Sequence, residues 1–86
     1  MLNRGAQIVD VRSEREFQSG HIEGAVNVPL DGLSKNLAKI QKSKPVITCC
    51  ASGVRSGMAR RILKSNGFIE VVNGGAWVKL KGKLQA

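Results

Sequence analysis

The sequence predicts an α/β domain, a small parallel β-sheet of about four strands flanked by helices on both faces. Three observations lead there. Short apolar runs at residues 7–12, 25–28, 46–48 and 68–72 have the length and composition of strands buried in a parallel sheet. Segments with helical apolar spacing alternate with those runs. A chain of 86 residues with 42% hydrophobic content suits one domain, residues 1–86, with one modest core.

Residues 1–5 read as the last turn of a helix ended by Gly5 and anchored by Leu2. In 7–12, Ile8, Val9 and Val11 make a buried strand with Asp10 and Arg12 at its end. Ligands of open α/β sheets gather outside the carboxyl ends of the strands, so these charges face the functional side. An ion pair that fixes the strand end is their first reading, and Arg12 is the better candidate of the two for touching substrate. Ser13-Glu14-Arg15-Glu16 is a capping box that starts a short helix, with Phe17 in the core and Gly20 as its end. His21, in the following turn, reads as a structural histidine bonded to backbone. Strand 25–28 is stopped by Pro29. Asp31 then caps an amphipathic helix with Leu30, Leu33, Leu37 and Ile40 on one face and Lys35, Lys39 and Gln41 on the other. Residues 42–45 form an exposed turn.

The strand at 46–48 leads into Cys49, Cys50 and a short loop. Between 54 and 66, Val54, Met58, Ala59, Ile62 and Leu63 recur at helical spacing until Gly67. After the strand at 68–72, Asn73-Gly74-Gly75 reads as a tight turn that brings backbone close to the cysteine loop. A terminal helix contains Trp77 as a core residue, and residues 81–86 are expected to fray.

The loop after Cys50 lies at a helix N-terminus, where backbone N–H groups have no helical partner and point outward with the positive end of the macrodipole. Such a place cradles anions. A thiol at its mouth, with Arg55 a few residues on, is expected to have a depressed pKa and to act as a thiolate nucleophile. Gly53 permits the tight turn, and Ser52 and Ser56 add hydroxyl donors.

Cys50-Ala51-Ser52-Gly53-Val54-Arg55-Ser56 resembles the active-site loop of the rhodanese domains, single-cysteine sulfurtransferases. Ile8-Val9-Asp10-Val11-Arg12, Glu16-Phe17, the run from Gly20 through His21 to Pro29, and Asn73-Gly74-Gly75-Ala76-Trp77 resemble the other signatures of that family, in its order. The resemblance implies a rhodanese-like fold and a Cys50 that carries sulfane sulfur as a persulfide, from thiosulfate or a similar donor to cyanide or a thiol. Catalytic roles then fall to Cys50 and Arg55, and substrate contacts to Ala51, Ser52, Gly53, Val54, Ser56 and Arg12. No cofactor and no metal are implied. Partners are a small anionic sulfur donor and a thiol or cyanide acceptor, with a thioredoxin-like or sulfur-acceptor protein among the acceptors. Domains of the family usually start with a further strand and most of a helix, which the resemblance leads one to expect absent from these 86 residues.

Counting from Cys49 instead gives C-x5-R-S, the loop spacing of tyrosine phosphatases and related arsenate reductases. Three features favour Cys50: the glycine three residues later, the continuation of the apolar strand through Cys49, and the lack of an aspartate placed as general acid. A non-catalytic binding module of the same fold is the third reading, against which Cys50 and Arg55 stand together. The formal charge of +8, from 14 basic and 6 acidic residues, favours anionic partners. Phe17, Phe68 and Trp77 are too few to form stacking platforms, so nucleic acid is not expected as a partner. No run is apolar enough to cross a bilayer and no signal pattern opens the chain, so the expected location is cytoplasmic, with no membrane partner. Two adjacent cysteines cannot staple a domain, and working thiols suit a reducing compartment.

Overall fold

A computed structural model describes residues 5–85. The helical turn expected before Gly5, with its Leu2 anchor, lies outside the described residues. Four strands, β1 (Gln7–Asp10), β2 (Val26–Asn27), β3 (Val46–Cys50) and β4 (Val71–Ala76), pair in parallel in the order β2-β1-β3-β4. Three helices accompany them: α1 (Glu14–Gln18), α2 (Val54–Ser65) and α3 (Trp77–Gln85). Every residue of β3 is buried. Side chains alternate across a strand, so this sheet separates two apolar clusters. On one face Val9, Val46 and Val71 pack with Leu33 and with Ala59 and Leu63 of α2. On the other, Ile8 and Ile47 pack with Leu80, and Trp77 and Leu84 of α3 lie against them. Helices thus cover both faces, as the alternating pattern predicts.

The buried ends of the strands are fixed by polar bonds. Asp10, wholly buried, takes Arg12 Nε at 2.9 Å and Arg12 Nη2 at 2.7 Å. The guanidinium also donates to the Gly20 and Glu16 carbonyls and lies 4.6 Å from the Trp77 ring. One ion pair therefore holds the end of β1, the end of α1 and the start of α3. The Ser13 capping box forms as expected, with Glu16 N–H donating to Ser13 Oγ and Ser13 N–H donating to Glu16 Oε1.

Several elements differ from expectation for identifiable reasons. The amphipathic helix expected around Leu33 is two 3₁₀ turns, Leu30–Lys35 and Leu37–Lys39. Asn36 Nδ2 donates to the Gly32 carbonyl at 2.7 Å, a local bond that competes with helical pairing. Asp31 caps nothing, since Pro29 stands at the N-cap with no side-chain bond. Leu33 and Ile40 are buried all the same. Phe17 is half-buried and stacks on His21, whose Nδ1 lies 2.8 Å from the Phe17 carbonyl. In α2 the apolar positions Val54 and Met58 are 65% and 50% exposed, and the sheet is met by Ser56, Ala59 and Leu63 instead. α3 runs to Gln85, with Leu84 on the core and Lys81 Nζ 5.9 Å from the Trp77 ring.

The last strand is shifted most. It begins at Val71, and Asn73-Gly74-Gly75 is strand, not turn. β4 slips in register past β3 between Thr48 and Cys50. A Cβ on Gly74 would lie 2.8 Å from both the Thr48 carbonyl oxygen and Ile47 Cγ2, so only glycine lets the strands approach this closely. Gly74→Ala should therefore lower stability by about 1–3 kcal/mol through overpacking. Gly82→Ala, in α3 with nothing within 4 Å of the new Cβ, should raise it by about 0.4–1 kcal/mol. Urea unfolding midpoints of the two variants check this, and an unchanged midpoint for Gly74→Ala sinks the close-approach argument.

Candidate active site

β3 delivers Cys50 to the N-terminus of α2. Between them, Gly53 stands at the N-cap with φ +108°, a left-handed conformation that side-chain-bearing residues rarely adopt, and no side chain caps the helix. The free N–H groups turn onto sulfur. Gly53 N–H reaches Cys50 Sγ at 3.0 Å and Ser56 N–H reaches it at 3.3 Å. The Cys50 thiol lies 3.5 Å from Ser56 Oγ. Burial alone would push the Cys50 thiol up. The hydrogen bond with the Ser56 side chain and those from the N–H groups of Ser56, Gly53 and Ser52 outweigh it, leaving the pKa below its ordinary value. Cys50, placed by its sequence at the mouth of an anion cradle, has no accessible surface, because the loop closes over the sulfur it binds.

Two neighbours hold this loop in shape. Thr48, buried in β3, donates to the Ser56 carbonyl at 2.9 Å and so ties the first turn of α2 to the strand. Asn73 of β4 does more. Its Oδ1 accepts the Ser56 hydroxyl at 2.6 Å and Gly75 N–H at 2.9 Å, while its Nδ2 donates to the Gly53 carbonyl at 3.1 Å. Sequence reasoning missed Asn73 by placing it in a turn. The signal was its position before the glycine pair that allows β4 to run beside β3.

The adjacent cysteine is in another environment. Cys49 belongs to the apolar cluster on the α3 face, and Cys50 to that on the α2 face. Burial first, then the nearby Asp10 charge, push the Cys49 thiol up to about 12. The opposite orientation of the two side chains is the one the strand geometry predicts.

Arg55 lies in the first turn of α2, where its partner is a carboxylate of α1. Its Nη1 and Nη2 donate to Glu16 Oε1 and Oε2 at 2.7 and 2.9 Å, a two-pronged pair about one-third exposed. The hydrogen bond to Glu16 raises the Arg55 pKa against its partial burial, and the Glu16, Cys50 and Asp10 charges add to it. Ala51, Ser52 and Val54 are exposed on the loop, and Ser56 is buried beneath it. The Arg12 guanidinium, a substrate contact in the sequence reading, is buried and bonded to Asp10 and two carbonyls beside Trp77. Among the described residues, no group of three or more His, Cys, Asp or Glu side chains could hold a metal ion.

The Arg55 hydrogen bonds, followed by those from Ser13, hold the Glu16 carboxyl at about 2, against 4.5 in a free chain. A depressed carboxyl stabilises the fold above its unfolded pKa and loses that effect as the pH falls through the folded one. Glu16→Gln keeps an N3 side chain that can serve the capping box. The stability advantage of the unmodified chain over Glu16→Gln should hold above about pH 4.5 and vanish toward about pH 2. Denaturation midpoints across that range check it; an advantage unchanged at the acid end contradicts the pairing.

Known proteins resemble this chain in sequence and in fold. The family model described as "Rhodanese-like domain" matches residues 1–79. The chain is 44% identical over 84 residues to the uncharacterized protein YqhL of Bacillus subtilis, covering 96% of this chain and 67% of that one. It is 35% identical over 81 residues to the thiosulfate sulfurtransferase PspE of Escherichia coli, covering 86% of this chain and 78% of that protein. A solved structure described as rhodanese with anions, from E. coli, superposes with a TM-score of 0.78 at 32% identity, over 85% of this chain and 88% of that one.

Proposed function

The chain belongs to the rhodanese-like domain family, and from that premise we propose that it is a sulfurtransferase working through a Cys50 persulfide. The observation that carries the reading is the pair of backbone N–H groups, at 3.0 and 3.3 Å, aimed at Cys50 Sγ. They stabilise a thiolate before the donor arrives and the displaced negative charge while it reacts. The Cys50 thiolate attacks the outer sulfur of thiosulfate. The sulfur–sulfur bond of the donor breaks, sulfite leaves with the bonding electrons, and Cys50 keeps the outer sulfur as a persulfide. Cyanide or a thiolate then attacks that sulfur, and Cys50 leaves as a thiolate. No oxidant, cofactor or metal is needed for either step.

The residues divide the work. Ser52, Gly53 and Ser56 present the N–H groups of the cradle, and the exposed Ala51 and Val54 border the path to it. Because Cys50 has no accessible surface, the loop or the thiol side chain moves when the donor binds. Arg55 exchanges Glu16 for the donor's oxyanion, an exchange favoured by the exposure of the pair, since surface ion pairs are weak. Arginine suits the role because it can hold two oxygens at once. The phosphatase register is disfavoured by Cys49, which faces the opposite side of the sheet with its thiol at about 12. No helix among the described residues is long and apolar enough to cross a membrane. A reaction that needs reduced Cys50 suits the cytoplasm.

Incubation with thiosulfate followed by mass measurement tests the reading. One added sulfur is expected on the unmodified chain and none on Cys50→Ser. Cys49→Ser should still load sulfur while losing about 1 kcal/mol or more of stability, because a hydroxyl replaces a thiol in an apolar site. Loading that survives in Cys50→Ser and disappears in Cys49→Ser would overturn the register. Arg55→Ala should lose roughly 2–4 kcal/mol of transition-state stabilisation, read from cyanide-dependent turnover, while remaining folded. If the folded fraction of Arg55→Ala turns over normally, Arg55 has no part in the reaction.

A further inference from the structure

Beside the Cys50 loop, the outer face of α2 and the edge strand β4 enclose an open groove of about 530 Å³. Val54, Gly57, Met58, Arg60, Arg61 and Asn73 line it. Val54, Met58 and Arg61 follow one another at i, i+4 and i+7, so they share one face of the helix. Val54 is 65% exposed and Met58 50%. A domain this small has little apolar side chain to leave outside its core, and these residues stand together at one rim. Cations surround them: α2 carries Arg55, Arg60, Arg61 and Lys64 and no acidic residue.

The groove adjoins the reactive sulfur. Val54 directly follows Gly53, whose N–H reaches Cys50 Sγ, and Asn73 holds both the Ser56 hydroxyl and the Gly53 carbonyl. A small acceptor such as cyanide has nothing with which to cover Val54 and Met58. A nucleic acid would use the arginines, but it would leave the apolar residues in contact with phosphate, and no aromatic side chain lines the groove for a base to stack on. A protein segment can satisfy both.

We infer that this groove docks a protein acceptor, through a segment that sets an apolar side chain among carboxylates and carries the thiol that discharges Cys50. The apolar side chain covers Met58 and Val54, and the carboxylates meet Arg60 and Arg61. The inference rests on the sulfurtransferase reading for its chemistry: the segment's thiolate bonds to the outer sulfur of the persulfide, the Cys50 bond to that sulfur breaks, and Cys50 returns as a thiolate. The docking itself requires no sulfur transfer.

Two measurements keep the two ideas apart. Binding is measured with the full chain and a fluorescent decapeptide containing leucine, aspartates and a serine in place of the thiol. Two probes are compared with it: the same peptide with lysines for aspartates, and a uridine-rich RNA of similar length. The aspartate peptide should bind, and the lysine peptide should not. Met58→Asp and Arg61→Glu, each shown to be folded, should each weaken binding about tenfold or more, as loss of a central apolar contact or a complementary charge does. Peptide binding that ignores both substitutions overturns the proposal, as does equal binding of the two peptides, no peptide binding, or RNA binding more tightly at the same residues. Separately, the cysteine form of the peptide is given to chain preloaded with thiosulfate. Failure to load sulfur would count against the sulfurtransferase reading, and the peptide-binding measurements would still decide for or against the groove. Both substitutions should load sulfur normally and hand it to the peptide more slowly, while discharge to cyanide is unchanged.

Discussion

The site depends on one constraint: the chain must turn from β3 into α2 within three residues while aiming its unpaired N–H groups at Cys50. Gly53 makes the turn possible at φ +108°. Without a side-chain cap, the first N–H groups of α2 need another acceptor, and the cysteine sulfur supplies it. The same bonds satisfy the helix terminus and stabilise a thiolate, so structure and reactivity are one arrangement here. What surrounds the loop maintains the turn. Thr48 pins it from the strand before, Asn73 from the strand after, and Asn73 is in reach only because Gly74 lets β4 lie close to β3.

The cysteine doublet shows how far side-chain direction decides chemistry. Adjacent residues at a strand end face opposite ways. Cys49 points to Ile8, Ile47 and Leu80, where nothing among the described residues donates to it and burial holds its proton on. Cys50 is just as buried, but its desolvation is offset by donors already in place. Burial alone therefore does not decide how the two thiols hold their protons; the hydrogen bonds at the sulfur do.

Much of this was legible in the sequence where a local rule governs. Apolar strand runs gave the parallel sheet, Ser13-Glu14-Arg15-Glu16 gave a real cap, and the spacing from Cys50 to Arg55 placed both at the helix start. What was not legible depended on partners distant in sequence. The partner of Arg55 is Glu16, 39 residues away, and the capping role of Glu16 concealed its second one. Asn73 became visible only once β4 was paired with β3. Val54 and Met58 have core spacing, yet the helix turns a different stripe to the sheet, because Ser56 is drawn inward by Cys50 and Asn73 and fixes the rotation of α2.

That rotation links the two faces of the helix. Once the bond between Ser56 N–H and sulfur sets the angle of the first turn, Ala59 and Leu63 follow it onto the sheet at three- and four-residue steps, and Val54, Met58 and Arg61 are carried outward. The exposed apolar stripe is thus a geometric consequence of building the cradle. The electrostatics divide in the same way. Glu16 neutralises Arg55 at the loop, while Arg60 engages the Val71 carbonyl through Nε only, and Arg61 is exposed. An incoming anion has to displace a carboxylate to reach Arg55, whereas a carboxylate-bearing protein segment meets the groove arginines without that competition. The loop therefore discriminates by how well a ligand replaces Glu16, and the groove by what a ligand can cover.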